Sequence, residues 1–366
     1  MFRQVAKKLA GLFSDGNFHV VCILGGPYVG KTWLLNDLSD VYRKYPVRIY
    51  DDVNSYESFK EIIEDIINNH NDEKYIVVGR LREETCKKIC TGINSKGLQV
   101  EYVNVYPMNF EEFRVAVPKN YNIAKDELLK LYILVGGIPK VVEAFIETGD
   151  IGVVQKKQGQ LYEGLLGELD AKERVVLNQV IKQELSVRPG FIFARISKDA
   201  RERDYESVIN KLLDMGVAYK ISRYISVEDR KVKKYKLYFY DIGISMMVEG
   251  FCLNNVKDNN GIWNQKLLCN FLIREFFNYL SNQKYNIMYW EKVRAKAKIP
   301  IVIEKNMNDK KMLIPVTFIC KDNVMPKNIQ SFFKENKNTV PLYVKNPNSK
   351  MVVDGAILFR GLSNIT

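Results

Sequence analysis

An α/β fold with a parallel sheet is predicted by three features of this 366-residue chain. A five-residue apolar run, Val20 to Leu24, leads into Gly25-Gly26-Pro27-Tyr28-Val29-Gly30-Lys31-Thr32 and then into the helical pattern Trp33 to Leu38. Strand-like and amphipathic helical stretches then alternate through Val47 to Tyr50, Tyr56 to Asn69 and Lys74 to Arg80. The last third alternates again, through Trp263 to Leu280, Asn286 to Trp290, Ile299 to Glu304, Met312 to Ile319 and Pro341 to Val344. Alternation of this kind calls for parallel strands joined by crossover helices.

The segment between the first strand and the first long helix is a complete G-x-x-x-x-G-K-T. Its glycines let backbone N–H groups turn inward around phosphates, Lys31 would meet the β- and γ-phosphates, and the Thr32 hydroxyl would join a Mg²⁺ shell. The candidate binding residues are Gly25, Gly26, Pro27, Tyr28, Val29, Gly30, Lys31, Thr32 and Trp33, with ATP and Mg²⁺ as the expected ligands. A chance glycine-rich turn before a buried helix is the alternative, and the strand and helix flanks weigh against it. Hydrolysis is a separate question.

Hydrolysis needs an acid at the carboxyl end of a buried strand beside the P-loop strand, where it orients the metal's water shell. Asp51, at the end of Val47-Arg48-Ile49-Tyr50, fits that role and would share Mg²⁺ with Thr32. Asp52 stands where such ATPases usually carry Glu as the base for the attacking water. Asp is one methylene shorter, which sets the proton acceptor back by about an ångström and slows the chemistry. Lys31, Asp51 and Asp52 are therefore the candidate catalytic residues. Only twenty residues lead from Lys31 to Asp51, room for one helix and one strand. Either an edge strand is absent, or Val47 to Tyr50 is that edge strand and Asp51-Asp52 is a strand-end turn. The first reading is preferred, because the helix after Asp52 and Val77-Val78-Gly79-Arg80 match what normally follows such an acid.

With 46% hydrophobic residues the chain can bury a sizeable core and divide into two or three domains. No apolar run approaches the ~18 residues of a membrane span. Residues 1–16 lack the apolar core and cleavage site of a signal peptide, so a cytoplasmic chain is expected. Six scattered cysteines, Cys22, Cys86, Cys90, Cys252, Cys269 and Cys320, suit reduced thiols. Cys86 and Cys90 could share a helix face, but no second Cys or His pair completes a metal site. His19 and His70 are the sole histidines, which argues against histidine-based triads. A net charge of +12 favours contact with a polyanion, and a lysine-rich solvated surface accounts for it equally well.

Three further signatures accompany the P-loop: Tyr106-Pro107-Met108-Asn109-Phe110-Glu111-Glu112-Phe113, Gly136-Gly137-Ile138-Pro139-Lys140-Val141-Val142 and Tyr240-Asp241-Ile242-Gly243-Ile244. In this order they resemble a large prokaryotic family of AAA-type ATPases with a winged-helix segment and a C-terminal nuclease-like domain of unknown function. The resemblance implies an α/β chain: a P-loop NTPase parallel-sheet core over 1–150, a helical and winged-helix segment over 151–250, and a restriction-nuclease-like α/β domain over 251–366. Departures fall at working positions. Arg80 stands where the family usually has a small polar residue. The family's arginine ahead of the Pro-x-x-Phe signature is replaced near Gly97-Leu98, leaving Arg80, Arg82 and Arg114 as candidate substitutes.

Between Ala171 and Asp241 the pattern reads as a helix (Glu173 to Glu184), a helical turn near Phe193, a longer helix (Tyr205 to Met215), and two strands around Asp229-Arg230-Lys231-Val232-Lys233-Lys234. This is a winged-helix layout, whose second long helix enters the major groove in DNA readers. Arg201, Arg203, Lys211 and the wing cluster would supply charge for double-stranded DNA; many winged helices serve instead as protein contacts. In the last third, the family's nuclease acids and lysine fall at Asn264, Lys298, Pro300, Thr317 and Ile319. Metal-dependent cleavage is not expected there, with Glu304 and Asp322 the nearby acids, and the domain reads as scaffold, oligomer contact or recognition surface. The leading expectation is a slowly hydrolysing, nucleotide-dependent ATPase switch, with double-stranded DNA, a protein or a second copy of itself as the expected partner. The alternative is a DNA- or protein-binding module whose nucleotide site is structural.

Overall fold

The computed structural model describes residues 3–69, 73–93, 97–185, 190–225, 234–256, 264–280, 285–292, 297–307, 310–319, 327–336, 339–340 and 342–345. Two compact units emerge, each assembled from separate stretches. The first comprises Met1–Ala116, Gly137–Val176 and Glu202–Ala218; the second comprises Val117–Gly136, Leu177–Arg201 and Tyr219–Thr366.

The elements run α1 (Gln4–Asp15), β1 (Val20–Leu24), α2 (Lys31–Asp37), α3 (Ser39–Tyr42), β2 (Val47–Val53), α4 (Tyr56–Asn69), β3 (Lys74–Gly79), α5 (Glu83–Gly92), β4 (Val100–Asn104) and α6 (Phe110–Ala116). They continue with α7 (Lys125–Val135), α8 (Pro139–Thr148), α9 (Ile151–Gly167), α10 (Ala171–Glu184), α11 (Glu202–Asp214), β5 (Ala218–Arg223), β6 (Tyr235–Phe239), α12 (Ile242–Val248) and α13 (Leu253–Val256). The last are α14 (Gln265–Leu280), β7 (Tyr285–Glu291), β8 (Lys298–Met307), β9 (Lys310–Ile319), α15 (Lys327–Glu335) and β10 (Leu342–Lys345).

The first unit is built on a four-stranded sheet of order β2-β3-β1-β4, with every pairing parallel. All five residues of β1 are buried, which is why that strand reads as a continuous apolar run rather than an alternation. Its Val20, Cys22 and Leu24 pack with Phe59, Ile63 and Ile66 of α4 and Cys86, Ile89 and Cys90 of α5. Both helices place these side chains at i, i+3, i+4 or i+7 spacing, one apolar stripe each. Cys86 and Cys90 are thus core residues, and burial pushes the Cys86 thiol well above its ordinary range.

Strand β2 corrects one expectation. Rather than a buried strand beside β1, it is the sheet's edge, mostly half-buried or exposed, with β3 lying between it and β1. The chain from Lys31 has room only for α2, α3 and β2, and among the described residues no further strand covers that edge.

In the second unit the sheet is six-stranded, in the order β10-β9-β8-β7-β5-β6. Strand β5 runs parallel to β7, pairing Ser222 with Met288 and Arg223 with Tyr289. Strands β7, β8 and β9 are successively antiparallel, and β10 is parallel to β9. The two strands expected to form a wing therefore share a sheet with the C-terminal strands. The wing cluster lies outside the described residues except for Lys234. Trp290, Ile299, Val302 and Leu313 form a second core with Ile329 and Phe332 of α15.

Asn264, at the first expected nuclease position, caps α14: its Oδ1 accepts from Lys266 N at 3.1 Å. Glu304 accepts from Lys311 Nζ at 3.2 Å and from Asn286 Nδ2 at 3.1 Å. Asp322, Cys320 and His70, and the side chains of Thr317 and Ile319, lie outside the described residues. Among the described residues no group of three or more His, Cys, Asp and Glu is arranged to hold a metal, and no helix is long and apolar enough to cross a membrane.

Candidate functional site

The P-loop turns because its residues tolerate left-handed backbone and close approach. Gly30 has φ 89° and caps α2, and a Cβ on Gly25 would lie 2.1 Å from the Val105 carbonyl oxygen. Tyr28 also has φ 62°, costly for a bulky residue, so the loop holds local strain. Its ring lies along α9, where a side chain on Gly164 would begin 2.9 Å from the phenol oxygen.

Lys31 folds back over the loop, its Nζ donating to Gly25 O at 2.8 Å and Gly26 O at 2.7 Å. Burial, assisted by the neighbouring Arg80 guanidinium, lowers its ammonium to about 8 against the opposing pull of Asp51 and Asp52. Thr32 Oγ1 lies 3.5 Å from Asp51 Oδ2. What aims Asp51 there is a bulge: the β2–β3 register shifts between Tyr50 and Val53, and Asp52 sits at φ 62°. A bulge re-aims side chains at a strand end, and Asp tolerates the left-handed region. Asp51 Oδ1 accepts from Asp52 N at 2.8 Å, while Asp52 Oδ1 accepts from Asn54 Nδ2 at 2.5 Å.

These groups line a cleft of about 380 Å³. Pro27, Tyr28, Val29, Gly30, Lys31, Thr32, Trp33, Asp51 and Asp52 all face it. That size falls within the roughly 300–1,000 Å³ usual for small-molecule sites. Gly25 and Gly26 enter through the carbonyls that hold Lys31.

Sequence reading missed contributors from three other segments. Arg3, buried, donates through Nη1 to Val29 O at 2.8 Å and through Nη2 to Tyr106 O at 2.7 Å, with Nε 3.4 Å from Glu112 Oε2. Pro139, Lys140 and Glu143 reach the cleft from the first turns of α8. They stand there because Met108 N donates to Gly137 O at 2.6 Å and Gly137 has no side chain, so two of the sequence signatures meet. Gly216, in the turn after α11, lies against the P-loop, where a Cβ would sit 2.7 Å from Gly26 N.

A family model described as "Domain of unknown function (DUF8612)" matches residues 126–255. A search of curated proteins finds no match. Among solved structures, the chain is similar to the Walker-type ATPase PABY2304 of Pyrococcus abyssi, at 13% identity and TM-score 0.44 over 68% of this chain and 95% of that one. It is also similar to the ORC2 protein of Aeropyrum pernix in ADPNP–ADP complexes, at 9% identity and TM-score 0.36 over 67% of this chain and 92% of that one. AMPPCP-bound DnaA from Aquifex aeolicus follows, at 13% identity and TM-score 0.27 over 57% of this chain and 85% of that one.

Proposed function

We propose that this chain binds ATP with Mg²⁺ in the P-loop cleft and acts as a slowly hydrolysing nucleotide-dependent switch. The observation that carries the reading is the arrangement of Lys31: a half-buried ammonium held by two carbonyls of a glycine loop, beside Thr32 and Asp51. The cleft beside Gly30, where a side chain would meet Pro139 and Arg3, ends at the N-terminus of α2 and suits phosphate oxygens. Thr32 and Asp51 would hold Mg²⁺, an ion that takes few protein ligands and completes its octahedron with phosphates and water. Bound there, Mg²⁺ neutralises charge on the β- and γ-phosphates. Asp52 is the base of this proposal. Its bond to Asn54 and its short side chain support slow turnover.

Helix α11 offers DNA little support. Glu202, Asp204, Glu206 and Asp214 outnumber Arg203 and Lys211, and Lys211 Nζ lies 2.7 Å from Glu173 Oε1. A protein partner is therefore the favoured reader of the switch, with the three-part division at 150 and 250 and a catalytically silent C-terminal domain kept as part of the proposal.

Lys31→Ala is expected to lower ATP affinity by about a hundredfold or more, since it removes a charged group bonded to the phosphates. Titration calorimetry with Mg-ATP checks this. Unchanged affinity would end the proposal, and binding without turnover in any condition would favour the structural-site alternative.

The turn after α11 provides a second check. Gly216→Ala and Gly250→Ala both place a side chain at positive φ, 67° and 69°, but only Gly216 faces another backbone within 4 Å. Both are expected to lose about 1 kcal/mol to backbone strain. Gly216→Ala alone should also weaken Mg-ATP binding, by about tenfold, through displacement of Gly26. Equal affinities in the two variants would refute the coupling.

A further inference from the structure

The sequence leaves three arginines, Arg80, Arg82 and Arg114, as substitutes for a missing phosphate-facing cation, and the structure separates them. Arg82 Nε donates to Asp214 Oδ1 at 2.7 Å, an oxygen that also accepts from Thr85 Oγ1 at 2.8 Å. Arg114 is forked onto Glu111 of its own helix, with Nε to Oε2 at 2.8 Å. Neither is among the described residues that line the cleft, whereas Arg80 is.

The backbone under Arg80 is pinned to the P-loop strand. Gly79 O accepts from Gly25 N at 3.1 Å, Arg80 N donates to Val53 O at 3.2 Å, and a Cβ on Gly79 would come within 2.1 Å of that same Val53 oxygen. Movement at this position therefore belongs to the side chain. Its guanidinium is ion-paired with Glu168, the residue that caps the C-terminus of α9. Tyr28 lies against the pair: burial raises its phenol, Glu168 adds to the shift and Arg80 opposes it. Lys31 feels the same guanidinium from the phosphate side. The pair stands between the P-loop and the end of α9.

Glu168 remains partly exposed at 38%, so its hold on Arg80 is screened by water. A terminal phosphate carries more charge than a carboxylate and matches the guanidinium fork with paired oxygens. Resting on the nucleotide reading above, we propose that Arg80 is a latch that discriminates ATP from ADP. Glu168 holds it while the cleft is empty, and a γ-phosphate draws it off and frees Glu168 at the end of α9. A diphosphate ends at the group that Lys31 serves and leaves the latch closed. The nucleotide state is thereby written into the pairing of one carboxylate on α9.

Calorimetric titration of the full chain with Mg-ATP and Mg-ADP separately tests the latch. Arg80→Ala is expected to weaken ATP by about tenfold or more while leaving ADP within about twofold, as loss of charged hydrogen bonds to one phosphate requires. Glu168→Gln removes the competing anion and is expected to tighten ATP several-fold with ADP unchanged. Arg80→Lys keeps the charge without the fork and should fall between Arg80→Ala and the parent; matched circular dichroism spectra exclude misfolding. Equal changes for both nucleotides, or none, overturn the latch while the nucleotide site stands. Failure of the parent chain to bind either nucleotide overturns the site itself, and the latch with it.

Discussion

Arg3→Met is expected to destabilise the first unit by about 3–5 kcal/mol, the usual consequence of leaving a buried charge without its partner. The side chains of Arg3 and Glu112 are each 2% exposed. Methionine fills similar space but donates nothing, so Val29 O and Tyr106 O lose their donor as Glu112 loses its cation. Glu112 keeps two backbone donors, Gln4 N at 2.6 Å and Asn109 N at 3.0 Å, which places the loss near the lower end of the range. Arg3→Lys should recover only part, because one ammonium cannot reach three acceptors set around a planar fork. Thermal melting followed by circular dichroism is the measurement, reading the lower transition if the two units melt separately. A midpoint within about a degree of the parent would show that the pair contributes nothing. Since Arg3 also holds the Val29 carbonyl, the variant should bind Mg-ATP less tightly at temperatures where it remains folded.

Arg274→Met is expected to cost about as much in the second unit, with a loss that depends on pH. Arg274 Nη2 lies 2.9 Å from Glu184 Oε2, and Arg274 also donates to Phe239 O and Asn270 O. Burial holds the Glu184 carboxyl above its ordinary range, opposed by Arg274 and by the Phe239 amide, which donates to it at 2.9 Å. A carboxyl raised in the folded state binds more protons there than in the unfolded chain. Its contribution to stability therefore falls as pH rises from the unfolded value through the folded one. Removing Arg274 widens that window. Urea unfolding should show a loss of about 3–5 kcal/mol at neutral pH and a smaller one at acidic pH, where Glu184 can take up a proton. Adding Glu184→Gln to Arg274→Met should restore most of the neutral-pH loss. An equal loss at both pH values, with no rescue, would contradict the assignment.

The elements of the first unit are legible where local patterning is strong. Helix α4 spans Tyr56–Asn69 as its Phe59, Ile63 and Ile66 stripe predicts, and β1 ends at Leu24 where the glycines begin. The sequence reading took Asp51 as the acid of a shortened sheet. It misplaced β2 as a buried neighbour of β1, because strand order depends on which faces pack and not on any local periodicity. The bulge at Asp52 was invisible for the same reason: a register shift is a property of two strands, and one strand's residues do not encode it.

What the sequence by itself determined is the chemistry within a few residues of the P-loop: glycines that permit the turn, Lys31 and Thr32 at its end, and an apolar strand and amphipathic helix on either side. Those features act between near neighbours, so their spacing is their mechanism. Only the tertiary structure decided which of Arg80, Arg82 and Arg114 faces the cleft, that Arg3 braces the loop from more than twenty residues away, and that Gly216 lies on Gly26. Each of those is set by packing between segments distant along the chain, where a buried polar group takes whatever partner the fold brings within hydrogen-bonding reach.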